Sequence, residues 1–264
     1  IGMLERDLAG IAQTEAALAE VSDAVEDGGR LRLSFSSLDA FQTCPHRYYL
    51  DKVVGLPRYP VNSAGDYGTA VHAAIQKHGE AASRGEGLDL DAIWPVAPQA
   101  SGAGSDGVHR IDPKDGFEQS VDASARVLLS EEPFALRMHG CEVVGFIDRV
   151  QELPDGTVEV VDFKTHRDLP SEEIRNASLQ IPIYLLALRD REAATGLRVR
   201  RGVLHYLRHA VRHEITRNDA QLDALRGQIE SLAEEMRTVS PTDHRASPEH
   251  CGRCAFREVC AFAV

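Results

Sequence analysis

No stretch of this sequence approaches the roughly 20 consecutive apolar residues of a membrane span. Nothing near its start has the charged, apolar and small-residue order of a secretory signal. Both absences lead us to expect a soluble, cytoplasmic protein. Basic charge is scarce as well. The chain carries 29 Lys and Arg against 41 Asp and Glu, a net charge of −12, which counts against a general nucleic-acid binder with a broad basic face. An acidic total does not exclude a local groove, nor a carboxylate site neutralised by bound cations. Lysine is the scarcest charged residue, with 4 Lys beside 25 Arg. The imbalance reads as codon bias more than chemistry, and it makes each lysine worth inspecting. Internal repeats are absent.

The 264 residues are enough for one large domain or two small ones with a sizeable core. An apolar fraction of 43% and a charged fraction of 27% are ordinary for a globular chain. Residues 1–24 read as an amphipathic helix that begins abruptly, so residues 1–30 are expected to be a linker, and 31–264 the main domain. Five cysteines in a reducing compartment are seldom disulfides. Cys44 lies near the start, Cys141 in the middle, and Cys251, Cys254 and Cys260 crowd the last fourteen residues.

Along the chain, Leu31 to Ser37 reads as extended. Ser36 or Ser37 is expected to cap a helix carrying Leu38, Phe41 and Cys44. Pro45 opens a second helical stretch that ends at Gly55. Val71, Ala74, Ile75 and His78 give 66–82 a helical period. Residues 84–115 are rich in Gly, Ser, Asp and Pro and read as an irregular connection, with a turn of helix at 88–94. A helix is expected at 116–130. Strands follow at 134–138, 141–152 and 157–165, the last two joined by Pro154-Asp155-Gly156. Further expectations are a helix at 178–191, strands at 197–208 and 211–215, a long amphipathic helix at 219–237, and a Cys-rich tail.

The first chemical constellation is Asp148, Asp162 and Lys164. A side-chain period of two puts Asp162 and Lys164 on one face of their strand. With a three-residue loop and Leu153 opposite Thr157, Asp148 falls directly opposite Asp162. Cross-strand partners have Cβ atoms roughly 4.5–5.5 Å apart. Two carboxylates so close repel unless a cation sits between them, and a divalent ion with oxygen ligands fits. Lys164 beside them suits charge developing on a phosphate, or the orientation of water. The bland alternative is a hairpin with a wet acidic face. The flanks Phe146, Ile147, Val160, Val161 and Phe163 argue against it, because ionised groups in strands covered on both faces need a purpose.

Asp162-Phe163-Lys164, preceded by Gly145-x-x-Asp148, resembles the motif pair of RecB-like PD-(D/E)xK nucleases. Gly68-Thr69-Ala70-Val71-His72 is similar to that family's upstream helix, and Gln180-Ile181-Pro182-Ile183-Tyr184 to its QxxxY helix. Gln180 and Tyr184 stand at i and i+4 and share a helix face. Taken alone, His72 would be a partly buried helix histidine. The resemblance implies an α/β, restriction-endonuclease-like core with a mixed central sheet flanked by helices. It implies that His72, Asp148, Asp162 and the main-chain carbonyl of Phe163 bind Mg²⁺ or Mn²⁺, that Lys164 is catalytic, and that Gln180 and Tyr184 face the DNA.

The second constellation is Cys44 with Cys251-x-x-Cys254 and Cys260. Four thiolates suit a 4Fe–4S cluster or structural zinc, and the spacing alone leaves both open. His46 and His250 are spare donors, and Cys141 reads as a small core residue. The segment Leu33-Ser34-Phe35-Ser36-Ser37-Leu38-Asp39-Ala40-Phe41-x-x-Cys44-Pro45 resembles the start of AddB-like and AdnAB-like nuclease domains, and CRISPR-associated adaptation nucleases are similar. The resemblance implies that Cys44, Cys251, Cys254 and Cys260 hold a 4Fe–4S cluster that staples the domain's two ends. The activity it implies is metal-dependent hydrolysis of DNA, on single strands or strand ends, in end processing and recombinational repair, with a helicase domain in the same chain or complex. A freestanding adaptation-type exonuclease and a catalytically inactive DNA-binding module are the alternatives.

Overall fold

The computed structural model describes residues 29–57, 63–96, 111–121, 124–252 and 254–264. The expected helix at 1–24 and residues 97–110 of the irregular connection at 84–115 lie outside them. In chain order the elements are β1 (Leu31–Ser34), α1 (Phe35–Thr43), α2 (Pro45–Tyr48, continued by a π turn, Tyr49–Val53), α3 (Ser63–Ser83), α4 (Leu90–Ile93), α5 (Pro113–Ser120), β2 (Arg126–Arg137), β3 (Cys141–Glu152) and β4 (Val158–Lys164). They continue with α6 (Glu172–Ala177), α7 (Gln180–Asp190), α8 (Glu192–Thr195), β5 (Arg201–Tyr206), β6 (Val211–Thr216), α9 (Asp219–Arg237) and α10 (Pro248–Gly252). The mixed central sheet flanked by helices is as expected.

The chain divides into two compact units. The described residues of one lie within Ile1–Val61, Pro133–Gly145 and Asp223–Val264, and those of the other within Asn62–Glu132 and Phe146–Leu222. In the first unit β1 runs parallel to the start of β3, Leu31 opposite Cys141 and Leu33 opposite Val143, and all four side chains are buried. Ser34, not Ser36 or Ser37, caps α1. Its Oγ accepts from the Ser37 N–H at 3.2 Å, because Phe35 already takes the first helical position and turns its predecessor into the cap. Gly55 ends the following helical stretch at φ +71°, a conformation that glycine adopts without steric cost.

In the second unit β4 lies between antiparallel β3 and parallel β5, and β5 pairs antiparallel with β6. Tyr67, Val71, Ile75, Phe117, Val161, Phe163 and Leu207 form one buried cluster. Beside it Arg149 is 1% exposed. Its guanidinium lies 5.4 Å from the Phe117 ring and 5.2 Å from the Phe163 ring, a cation–π arrangement that partly offsets desolvation. Its Nη2 donates to the Ile75 carbonyl at 3.3 Å, tying β3 to α3.

The expected helix at 116–130 is wrong. Asp112 caps α5, its carboxylate accepting from the Lys114 N–H at 2.8 Å, and Pro113 begins it, so the helix starts earlier and ends at Ser120. Arg126 onward is strand, and the expected strand at 134–138 is the second half of β2. The surface helix α6 was not expected at all. Phe146 also departs from its reading as a covered flank, since it is 41% exposed.

Candidate functional site

In the second unit the site begins with the hairpin of β3 and β4. The Leu153 N–H donates to the Thr157 carbonyl at 2.8 Å, the Asp155 carboxylate accepts from the Thr157 N–H at 2.8 Å, and Gly156 takes φ +82°. The three-residue loop therefore sets the expected register, Arg149 opposite Val161 and Val150 opposite Val160. One residue further, Asp148 comes opposite Asp162. There a side chain takes over from the backbone ladder, as the Phe163 N–H donates to Asp148 Oδ2 at 2.9 Å.

Two groups of side chains gather around this point. The first is His72 on α3, Glu131 on β2 and Asp148 on β3, each half-buried, with ligand atoms all within 4.8 Å of one another. His72 Nδ1 is 3.3 Å from Asp148 Oδ2. Burial opposes protonation of His72, but the hydrogen bond and charge of Asp148 outweigh it and hold its pKa above the ordinary value. Glu131 is raised to about 7, by burial first and then by the Asp148 charge. Glu131 also has φ +49°, rare for a residue with a side chain. Sequence reading missed it because 116–130 was taken as helix. No sequence signal marked it, since Ser130-Glu131-Glu132-Pro133 reads as a break between elements and only the fold places it in a strand.

The second group is a ring closed by three hydrogen bonds and one ion pair. Lys164 Nζ lies 2.8 Å from Asp162 Oδ2 and donates to Gln180 Oε1 at 2.5 Å. Gln180 Nε2 donates to the Tyr184 hydroxyl at 2.9 Å, which donates to Asp162 Oδ1 at 3.4 Å. The three hydrogen bonds run in consistent donor directions, and Asp162 Oδ2 has the Lys164 charge as its neighbour. Asp162 is 1% exposed. Burial raises its pKa to about 6, against the lowering effect of Lys164. Burial and the nearby carboxylates also push the Tyr184 hydroxyl well above its ordinary range.

This placement revises one expectation. Gln180 and Tyr184 do share a face, but that face looks inward, onto Lys164 and Asp162. They are 9% and 4% exposed, so neither presents a DNA-contacting surface. The Phe163 ring is buried in the core cluster, and its main chain lies beside Asp148 through the N–H already described.

In the first unit Cys44, Cys251, Cys254 and Cys260 line a single cavity, together with His46, His250 and Phe262. The Arg245 N–H donates to Cys44 Sγ at 3.4 Å, and the Cys254 N–H closes a turn onto the Cys251 carbonyl at 3.2 Å. Cys141 is elsewhere, fully buried on β3 as expected of a core residue, and burial pushes its thiol up to about 11.

Among the described residues no helix is long and apolar enough to cross a membrane. No curated protein matches the chain. Among solved structures the chain is similar to SSO0001, with 16% identity over 95% of each chain and a TM-score of 0.48. It is also similar to a candidate exonuclease from Eubacterium rectale, with 9% identity over 86% of this chain and 83% of that one, and a TM-score of 0.40. The model of the PD-(D/E)XK nuclease superfamily matches residues 32–261. With that match spanning nearly the whole sequence, the chain belongs to the PD-(D/E)XK nuclease superfamily.

Proposed function

We propose that this chain is a metal-dependent deoxyribonuclease that hydrolyses phosphodiester bonds. The observation that carries the reading is the convergence of His72, Glu131 and Asp148 beside the Asp162–Lys164 pair. The donor set is one imidazole and hard carboxylate oxygens, which suits Mg²⁺ or Mn²⁺. Burial first, and then the Asp148 charge, raises both Glu131 and Asp162, a cost that a cation held between these carboxylates would offset. His72, Asp148, Asp162 and the Phe163 carbonyl would hold the ion, with Glu131 as an added ligand. The chemistry an ion held there would supply is activation of water and neutralisation of charge on the leaving oxygen.

The chain's own residues do the rest. Lys164 presents a cationic Nζ that Gln180 holds from one side and Asp162 from the other, so its position costs no reorganisation as charge develops on the phosphate. Gln180 and Tyr184 act as positioning residues. Tyr184 also donates to Asp162 and keeps that carboxylate oriented.

For the first unit we propose a 4Fe–4S cluster on Cys44, Cys251, Cys254 and Cys260. Such a cluster closes a loop of roughly 200 residues and so removes entropy from the unfolded chain. DNA strand ends as substrate, a role in recombinational repair and a helicase in the same chain or complex follow from the RecB-like and AddB-like motifs. A catalytically inactive DNA-binding module of the same fold would have no use for the Asp162–Lys164 pair.

The test is cleavage of labelled single- and double-stranded DNA with and without Mg²⁺ or Mn²⁺. Asp148→Ala should abolish cleavage while DNA binding in Ca²⁺ persists. Wild-type cleavage by that variant would overturn the assignment.

A further inference from the structure

The cysteine cavity contains a polar group that the four-thiolate reading does not use. His46, two residues after Cys44, is 8% exposed and lines the cavity. Its Nδ1 is buried with no hydrogen-bond partner. The ring is fixed on two sides. It stands edge-on to Phe262 at 4.9 Å and stacks on Tyr49 at 6.1 Å, while the other face of the Phe262 environment is filled by His244, stacked at 4.2 Å. A buried nitrogen without a partner costs free energy comparable to a lost hydrogen bond, and two aromatic neighbours hold it where it is. His46 thus carries an orphaned ring nitrogen and lines the cavity that the four thiols share, so a group bound there is within reach of the ring.

We infer that His46 is a hydrogen-bond donor to the iron–sulfur cluster held by Cys44, Cys251, Cys254 and Cys260, and that it sets the cluster's reduction potential. This rests on the cluster reading given above. A ring N–H directed at a thiolate or sulfide sulfur stabilises the form with more negative charge, and hydrogen bonds to sulfur are among the controls on such potentials. The change involved is one electron, taken by the cluster from an added reductant such as dithionite, with no bond made or broken. With His46 donating, reduction is easier. Without it, the potential falls.

The experiment is an EPR-monitored dithionite titration of the anaerobically purified chain at fixed pH, beside His46→Phe and His46→Asn. The Phe variant keeps the ring contacts and loses the donor. The Asn variant places an amide N–H near the position of Nδ1. We expect iron content to hold in all three, the potential of the Phe variant to shift negative, and that of the Asn variant to return toward the parent. Nitrogen hyperfine coupling to the reduced cluster, changed by ¹⁵N-histidine labelling, should appear in the parent and be lost in the Phe variant. If His46→Phe fails to fold, loss of the ¹⁵N-histidine-sensitive coupling in His46→Asn decides the matter. Coinciding potentials, or an absence of nitrogen coupling, overturn the role of His46 alone. Protein purified with zinc and without iron overturns the cluster reading and the His46 role together.

Discussion

Tyr184→Phe separates two roles for the helix that follows the catalytic strand. If Tyr184 contacted DNA, removing its hydroxyl would weaken substrate binding and leave the free protein's stability alone. In the structure the hydroxyl is buried, accepts from Gln180 Nε2 at 2.9 Å and donates to Asp162 at 3.4 Å. Its loss orphans a buried amide donor, which costs about 1–3 kcal/mol, and removes one of the donors facing a 1% exposed carboxylate. In a chain of this size each kcal/mol moves the midpoint of thermal unfolding by about 2–4 °C. The variant's Tm without metal or DNA should therefore fall by between about 2 and 12 °C. Lys164 would stay paired with Asp162 but lose the fixed orientation of Gln180, so kcat should fall while KM for DNA moves little. Differential scanning calorimetry of the free protein and steady-state cleavage of a short fluorescent oligonucleotide supply both numbers. An unchanged Tm with a raised KM would refute the buried ring and restore the DNA-contact role.

Two other outcomes can be checked with the same protein. Asp162 rises from an ordinary 3.8 to about 6, Glu131 from 4.5 to about 7, and His72 is also raised. Groups whose folded pKa exceeds the unfolded one stabilise fully below the unfolded value and lose that contribution as pH climbs through the folded value. The metal-free Tm should thus decline from about pH 4 to beyond about pH 7, and the rise in Tm on adding Ca²⁺ should grow over the same window; a pH-independent increment would count against these groups as the ion's ligands. Replacing any of Cys44, Cys251, Cys254 or Cys260 by Ser should lower iron content and Tm, whereas Cys141→Ser should keep the iron and cost only a core packing change. Full iron in Cys44→Ser would break the proposed link between the chain's ends.

Much of the site was legible because strand geometry is arithmetic. Once Pro154-Asp155-Gly156 is a three-residue loop, the pairing of Asp148 with Asp162 follows from counting, and the period of two adds Lys164. The long helix α9 was equally plain, since its buried Leu222, Leu225, Ile229, Ala233 and Met236 recur at helical spacing. The failures also have physical reasons. An i, i+4 pair shows that Gln180 and Tyr184 share a face, but every residue from Gln180 to Leu188 is buried, so α7 has no polar side to say which face is inward. Strand β2 holds Ser130, Glu131, Glu132 and Pro133 in its middle, a run no propensity would assign to a sheet. Its two acidic residues instead meet His72 and Arg191 across space, a relation that sequence spacing does not encode.

Strand β4 sits between two hydrogen-bonded neighbours with both faces covered, and it carries Asp162, Phe163 and Lys164 at its end. A strand so placed opens to solvent only when its whole unit does. Its amide protons should be among the slowest to exchange with deuterated water. Heat inactivation should then coincide with global unfolding of that unit, without an earlier loss of activity through local fraying. A chain built this way keeps its chemistry until it loses its fold, and variants selected for activity at higher temperature should carry their changes far from the site, in the elements that hold β4 in place.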